Sequence, residues 1–265
     1  MSVNYKELRS LMLDYLKRHQ SGQFDVPSDI KSFYKSKGFE LKEEDLTTVR
    51  QIIHELYFEG IFIPGPKIKE NTISVSGQFH FPLYHLTQYG KSVLENPEYQ
   101  PHDANGYLSH LKEEIPQVDQ VIIRYLDEGL ICYQKNLLFA AAVMIGCAAE
   151  KAMLLLIDSY GDAIRDPEKK QDYERETKSF MISHKWEALW KRLGAVSSSF
   201  PIQIRDDLGT ILERIFDLIR TTRNDAGHPS GKKMEKETIH ANLLLFPSYC
   251  KRVYSLVEYF SCNPI

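Results

Sequence analysis

Residues 137–157 read LLFAAAVMIGCAAEKAMLLLI, and this stretch decides the fold because almost every position carries an apolar or small side chain. It is long enough to cross a bilayer as a helix, which takes about 20 residues. Glu150 and Lys151 lie inside it, however, and each charge costs roughly 2.5–3.5 kcal/mol at the centre of a membrane. The stretch therefore predicts the buried helix of a soluble bundle, in which small residues such as Gly146 let neighbouring helices approach closely.

Apolar residues at helical spacing predict further helices on both sides of this stretch. One runs upstream from Pro116, which suits the first turn of a helix, to Gln134. Residues 162–178 have too few apolar side chains for a core and should be solvated. The downstream helices are predicted at 182–193, 201–224 and 235–260, the last of them kinked at Pro247. The predicted C-terminal domain, residues 107–265, is thus all-helical.

Residues 1–96 mix helical periods with short strand signals and form a separate predicted domain. Three helices come first, and Gly60 ends the third. Two strands follow, at Ile61–Pro64 and Phe79–Leu86, joined by a loop that contains Lys67 and Lys69. A last helix begins after Thr87, a suitable N-cap. The fold class is therefore mainly α, with one short β-hairpin near the N-terminus.

The two predicted domains are joined by residues 97–106, which contain two prolines and little apolar content. The overall composition, 33 basic against 36 acidic residues, gives a net charge of −3, so only a local surface could bind nucleic acid. The four cysteines lack metal-binding spacing, and neither a metal nor another cofactor is expected. Because no apolar leader follows Met1, we expect a cytoplasmic protein without membrane contact.

Residues 220–229, RTTRNDAGHP, close the predicted 201–224 helix and carry the strongest functional signal. At about 100° per residue, Asn224 and His228 lie on the same side of a helix, whereas Arg223 diverges from His228. Gly227 allows the chain to leave the helix, and Pro229 prevents its continuation. A break there would bring the Arg223 guanidinium and the His228 imidazole towards one point.

These residue types suit the cleavage of RNA without a metal ion. An imidazole exchanges protons near neutral pH, so His228 would serve as acid or base. The guanidinium of Arg223 would bind phosphate through its fixed fork, and Asn224 would orient the ribose or the histidine. The alternative is structural, because Gly-His-Pro also ends a helix well and a cation there complements the helix dipole.

Other polar residues are supporting candidates. Arg220 lies one turn before the motif, on its histidine side. Glu150 either positions Arg223 or pairs with a nearby lysine, and the sequence leaves both readings open. Three lysines after the motif are weak candidates for holding an RNA backbone, since charge runs are usually just solvated faces: Lys232, Lys233 and Lys236.

The segment RNDAGH, residues 223–228, resembles the R-x4-6-H signature of the HEPN superfamily, including the polar residue directly after the arginine. The alanine-rich helix between Tyr133 and Glu150 is similar to the second helix of bacterial members, so the resemblance covers roughly 160 residues. It implies an endoribonuclease in which a homodimer completes the site. It also implies a role in antiviral defence or as a toxin, since bacterial HEPN domains recur in such systems.

The first 95 residues or so resemble a winged helix-turn-helix module, both in the order of their elements and in the phrase LTQYGK at residues 86–91. Such a module implies contact with DNA or with a partner protein. The third helix begins Lys42-Glu-Glu-Asp, an acidic start that would repel phosphates. Two functions are therefore expected: a metal-independent HEPN endoribonuclease, or a non-catalytic HEPN dimerisation scaffold whose winged helix binds a partner.

Overall fold

The computed structural model describes residues 4–20, 24–25, 29–64, 83–95, 100–205, 208–229 and 231–265 of a mainly helical chain. The chain forms two compact units, Met1–Ser109 and His110–Ile265. The division falls later than the 97–106 segment that the sequence analysis took as the linker. Residues 100–109 belong to the first unit, and a helix already begins at Ala104.

Among the residues that the structure describes, the first unit holds four complete helices and a small sheet, and the helices with β2 and β3 follow the predicted order. The helices are α1 (Tyr5–Arg18), α2 (Lys31–Ser36), α3 (Glu43–Phe58) and α4 (Gln88–Glu95). The strands β1 (Phe24–Asp25), β2 (Phe62–Pro64) and β3 (Leu83–Leu86) form an antiparallel sheet of order β1-β3-β2. The two residues of β1 were not predicted as a strand. The predicted loop with Lys67 and Lys69, and the strand start at Phe79, lie outside the described residues.

A buried polar network explains why the first unit extends past residue 96. Arg9 on α1 donates from Nη2 to both carboxylate oxygens of Glu59, at 2.8 Å, and from Nε to the carbonyl oxygen of His102 at 2.9 Å. The Nδ1 atom of His102 lies 2.9 Å from Glu59 Oε2. All three residues are buried. Because a buried charge must be paired to be tolerated, this network ties the segment before Ala104 to α1 and to the end of α3.

Helix α7 (Leu138–Ala163) is the centre of the second unit and packs against α6, α11 and α12. Helix α5 (Ala104–Glu114) contains the boundary between the two units, which falls after Ser109. The remaining elements are α6 (Gln120–Gln134), α8 (Pro167–Thr177), α9 (Ile182–Val196), a 3-10 turn (Ser197–Ser199), α10 (Ile202–Arg205), a π-helical segment (Leu208–Arg214), α11 (Ile215–Gly227) and α12 (Lys236–Cys262). The single helix predicted at 201–224 is thus divided, whereas the last helix continues through Pro247.

The prediction for the start of α6 is wrong for a local reason. Pro116 does not open α6, because Asp119 is its N-cap and accepts a hydrogen bond from the Val121 amide at 2.6 Å. The polar segment 162–178 is mostly exposed, as the sequence predicts. It contains α8, whose first turn is capped by Asp166 and whose single buried residue, Tyr173, packs beside Gly161. One buried aromatic ring holds this otherwise exposed helix against the bundle.

Helix α7 is also the one described helix that is long and apolar enough to cross a membrane. In its most apolar window, however, 56% is buried within the unit, and helices pack around it. Core helices of soluble proteins have the same length and composition. The structure is therefore consistent with a soluble protein.

Asn242 on α12 provides a test of this packing. Its side chain is 1% exposed, and neither Oδ1 nor Nδ2 has a hydrogen-bond partner among the described residues. A buried amide without partners costs about 1–3 kcal/mol. We expect Asn242→Leu, which has a similar volume, to stabilise the protein by about 1 kcal/mol in thermal unfolding. The exposed helical amide of Gln171 gives the control, since Gln171→Leu should leave stability unchanged. Destabilisation by Asn242→Leu would contradict the prediction.

Candidate active site

Helix α11 carries the motif and holds Arg223 against α7. Its buried residues include Phe216, Ile219 and Thr222, and the helix packs against α7 and α12. Arg223 follows Ile219 by four residues and therefore lies on the same side of the helix. The spacing of the apolar residues thus decides which way the arginine points.

The stem of Arg223 lies directly on the backbone of α7 at Gly146. A Cβ atom at position 146 would be 2.4 Å from Cγ and 2.5 Å from Cβ of Arg223, closer than carbon atoms approach in proteins. The Arg223 Cβ is fixed by the backbone of α11, so a larger residue at 146 would push the two helices apart. Glycine is about 1 kcal/mol less favourable than alanine inside a helix. This contact is a physical reason for glycine in a stretch otherwise rich in alanine.

The guanidinium of Arg223 is positioned from two sides and left open on a third. Its Nε lies 3.6 Å from Glu150 Oε1, an ion-pair distance slightly longer than a hydrogen bond. Its Nη1 donates to Asn224 Oδ1 at 3.1 Å. Nη2 has no partner among the described residues, and the side chain is 37% exposed. Arg223 is therefore oriented by its own chain while one edge of its fork is free to bind an anion.

His228 is the C-cap of α11, and its backbone amide donates to the Asn224 carbonyl at 3.0 Å. Its ring makes no hydrogen bond or ion pair with any described residue, and the residue is exposed. Gly227 remains helical, without a positive φ, so the chain leaves the helix at His228 itself. The helix thus ends within the predicted motif, but its end does not bring the two side chains together. His228 and Arg223 share no direct contact within one chain.

A groove of about 920 Å³ opens beside His228. We call it the lysine groove. It is formed where the end of α11, the start of α7 and the start of α12 meet. Its described lining comprises Asn136, Leu138, Phe139, Ala226–Pro229 and Gly231–Glu237. Its volume is within the roughly 300–1,000 Å³ of ligand-binding clefts. Arg223, Asn224 and Glu150 are not in this lining, so the site residues fall into two groups.

The three predicted lysines all line the groove but differ in their partners. Lys232 forms an ion pair with Asp225, which ties the loop after α11 back to that helix. The Lys236 ammonium lies 5.2 Å from the centre of the Tyr133 ring. Lys233 is exposed and has no partner among the described residues. Three carboxylates face these three cations, namely Glu235 and Glu237 in the lining and Asp225 paired with Lys232, so the charges balance before His228 is counted.

Two residues near the motif do not join the site. Arg220 donates from Nη2 to Asp217 at 3.2 Å, and its side chain forms no hydrogen bond or ion pair with the described motif residues. Cys147 lies one residue after Gly146, where burial and the Glu150 carboxylate raise the pKa of its thiol. A thiol with a raised pKa is protonated at neutral pH, so Cys147 is a poor nucleophile.

Phe139 is the groove residue that the sequence analysis did not single out. Its side chain is 49% exposed on the first turn of α7, at the wall of the lysine groove. In the sequence it is hidden within a continuous apolar run. The signal that could have found it is its position three residues after Asn136, where the chain turns from α6 into α7.

Comparisons of the chain with protein-family models, with curated proteins and with solved structures found no match. The function must therefore be inferred from the geometry of the site.

Gly146 and Gly227 form a matched pair for testing the contact between the Arg223 stem and the backbone of α7. We expect Gly146→Ala to destabilise the protein by about 2 kcal/mol, because the added methyl group overpacks the contact between α7 and α11. A Cβ atom at Gly227 would meet no atom within 4 Å, so Gly227→Ala should be neutral or slightly stabilising. Chemical denaturation of both variants measures the difference. Equal stability of the two variants would contradict the close contact at Gly146.

Proposed function

We propose that the chain is a metal-independent endoribonuclease of the HEPN type, working in the cytoplasm as a defence or toxin effector. The observation that carries the proposal is the state of the two motif side chains. Arg223 is held from two sides with Nη2 open, and the His228 ring is unengaged by the described residues. A histidine that served only as a cap would bond its ring to the last carbonyls of α11. Residues kept available in this way are typical of a site that binds a ligand.

The reaction that fits these groups is attack of a ribose 2′-hydroxyl on the neighbouring phosphorus. A base removes the 2′-OH proton, and the 2′-oxygen forms a bond to phosphorus. The bond from phosphorus to the 5′-oxygen then breaks, and an acid protonates that oxygen. The products are a 2′,3′-cyclic phosphate and a 5′-hydroxyl. His228 would transfer protons, Arg223 would stabilise the pentavalent phosphorane through Nη2, and Asn224 would orient the ribose or the arginine.

One chain supplies too few groups for this chemistry. The reaction needs a base, an acid and a cation, whereas the motif offers one imidazole and one guanidinium, which are not in contact. A homodimer through the helical unit would supply two of each. Its RNA contacts would include the lysine groove with Lys232, Lys233 and Lys236.

The second candidate function is a non-catalytic HEPN dimerisation scaffold. The separation of His228 from the cluster of Arg223, Glu150 and Asn224 favours it, because an inactive domain could keep the ion pair for stability alone. The first unit would then act as a winged-helix module that binds a partner protein or DNA. The presence or absence of RNA cleavage decides between the two.

The decisive prediction is cleavage of RNA in EDTA that depends on both motif residues. We expect His228→Ala to lower the rate by roughly 10²–10⁴-fold, the usual contribution of an acid–base group. The His228 ring has no partner among the described residues, so this change should leave the fold intact. Arg223→Lys keeps the stem against Gly146 but loses the fork, and should also lower the rate strongly. The matched control is His184→Ala, an exposed histidine on α9. Full activity of His228→Ala would reject the nuclease proposal.

The dimer is tested separately from the chemistry. We expect the full chain to sediment as a species of twice its 30.7 kDa mass at micromolar concentration. His228→Ala should sediment in the same way, because the change removes an exposed ring that forms no hydrogen bond or ion pair with the described residues. A strictly monomeric protein that still cleaves RNA would show that one chain forms the whole site.

A further inference from the structure

The lysine groove contains an aromatic ring that the cleavage chemistry does not use. Phe139 is 49% exposed, and its ring makes no aromatic stacking or cation–π contact with the described residues. The nearby Tyr133 ring is different, since it is covered by Lys236 and by His240, whose ring centre is 5.8 Å away. One aromatic ring of this region is thus packed against neighbours and the other is open.

We propose that Phe139 stacks on an unpaired nucleobase of the RNA beside the cleaved bond. The inference rests on the proposed nuclease function and adds a substrate requirement to it. A base can lie on Phe139 only if it is neither paired nor stacked within a helix, so the nucleotide beside the cleaved bond must be unpaired. Phe139 is a binding residue, because no proton or bond changes at its ring.

Charge and shape in the groove favour a nucleic acid over an apolar partner. Lys233 is exposed and has no partner among the described residues. Lys232, Lys236 and His228 line the same groove. Aromatic rings flanked by cations bind single strands because the ring stacks on the base while the cations follow the backbone. An apolar protein surface would have to bury these ammonium groups at a considerable desolvation cost.

Leu137 provides a matched control for Phe139. It is two residues away on the chain and is similarly exposed, at 55%, but it is not part of the described groove lining. If the effect of Phe139 were a general consequence of apolar surface at the start of α7, Leu137→Ala would share it. If base stacking is the cause, Phe139→Ala weakens binding of the single strand, whereas Leu137→Ala and Phe139→Tyr leave it unchanged.

The test measures binding of the full chain to two short single-stranded probes. One is 2′-O-methyl oligouridylate, which cannot undergo 2′-hydroxyl attack, and the other is an abasic strand with the same sugar-phosphate backbone. We expect Phe139→Ala to weaken binding of the oligouridylate by about tenfold, within the range for stacking on one aromatic ring. Binding of the abasic strand should not change, whereas Lys233→Ala should weaken binding of both.

Three results would overturn the proposal. Unchanged binding of oligouridylate by Phe139→Ala would mean that no base lies on the ring. Equal weakening for both probes, or a shift of Phe139→Ala to monomer in sedimentation, would assign Phe139 to the fold or to contact with a second copy. If the unaltered protein bound neither probe, the nuclease proposal would fail together with this one.

Discussion

The contact between Arg223 and the bare backbone at Gly146 is the constraint on which the helical unit and its site depend. It lets α11 lie against α7 with only an arginine stem between them. The charged end of that stem then reaches Glu150 and Asn224, at the edge of the packed face. The same crossing places the end of α11 near the start of α7, where the lysine groove forms.

Two arginine networks in this chain show the difference between a structural charge and an available one. Arg9 is buried; its Nη2 and Nε atoms donate to Glu59 and to the His102 carbonyl, and its Nη1 lies 3.5 Å from Glu55 Oε2 in an ion pair. Because a buried cation needs such pairing, this network fixes backbone segments to each other. Arg223 is partly exposed, is held by one carboxylate and one amide, and keeps Nη2 free among the described residues. An oriented cation with an open edge is suited to bind phosphate.

The sequence predicted the main elements wherever the signal was local. The apolar run at 137–157 gave α7, and the motif at 223–228 was placed at a helix end, where it lies. Its error at residue 116, where a proline was taken as a helix start, came from a weak local signal. The segment 162–178 is solvated as predicted, but the single buried ring that stabilises α8, Tyr173, was not predicted. The boundary between the compact units falls later than the predicted linker because His102 joins a network with residues far away in the chain.

By itself, the sequence determined which residues could carry chemistry, since Arg223, Asn224 and His228 are adjacent along one helix end and need no partner to be recognised. The sequence also predicted that neighbouring helices approach residues 137–157 closely, because the small side chains of this stretch form a visible pattern. Only the tertiary structure decided that Gly146 receives Arg223, that Glu150 faces its guanidinium, and that Phe139 is open in a groove with His228. The physical reason is that periodicity fixes the face of a helix on which a residue lies, whereas its partners come from helices that pack together across long separations in the chain.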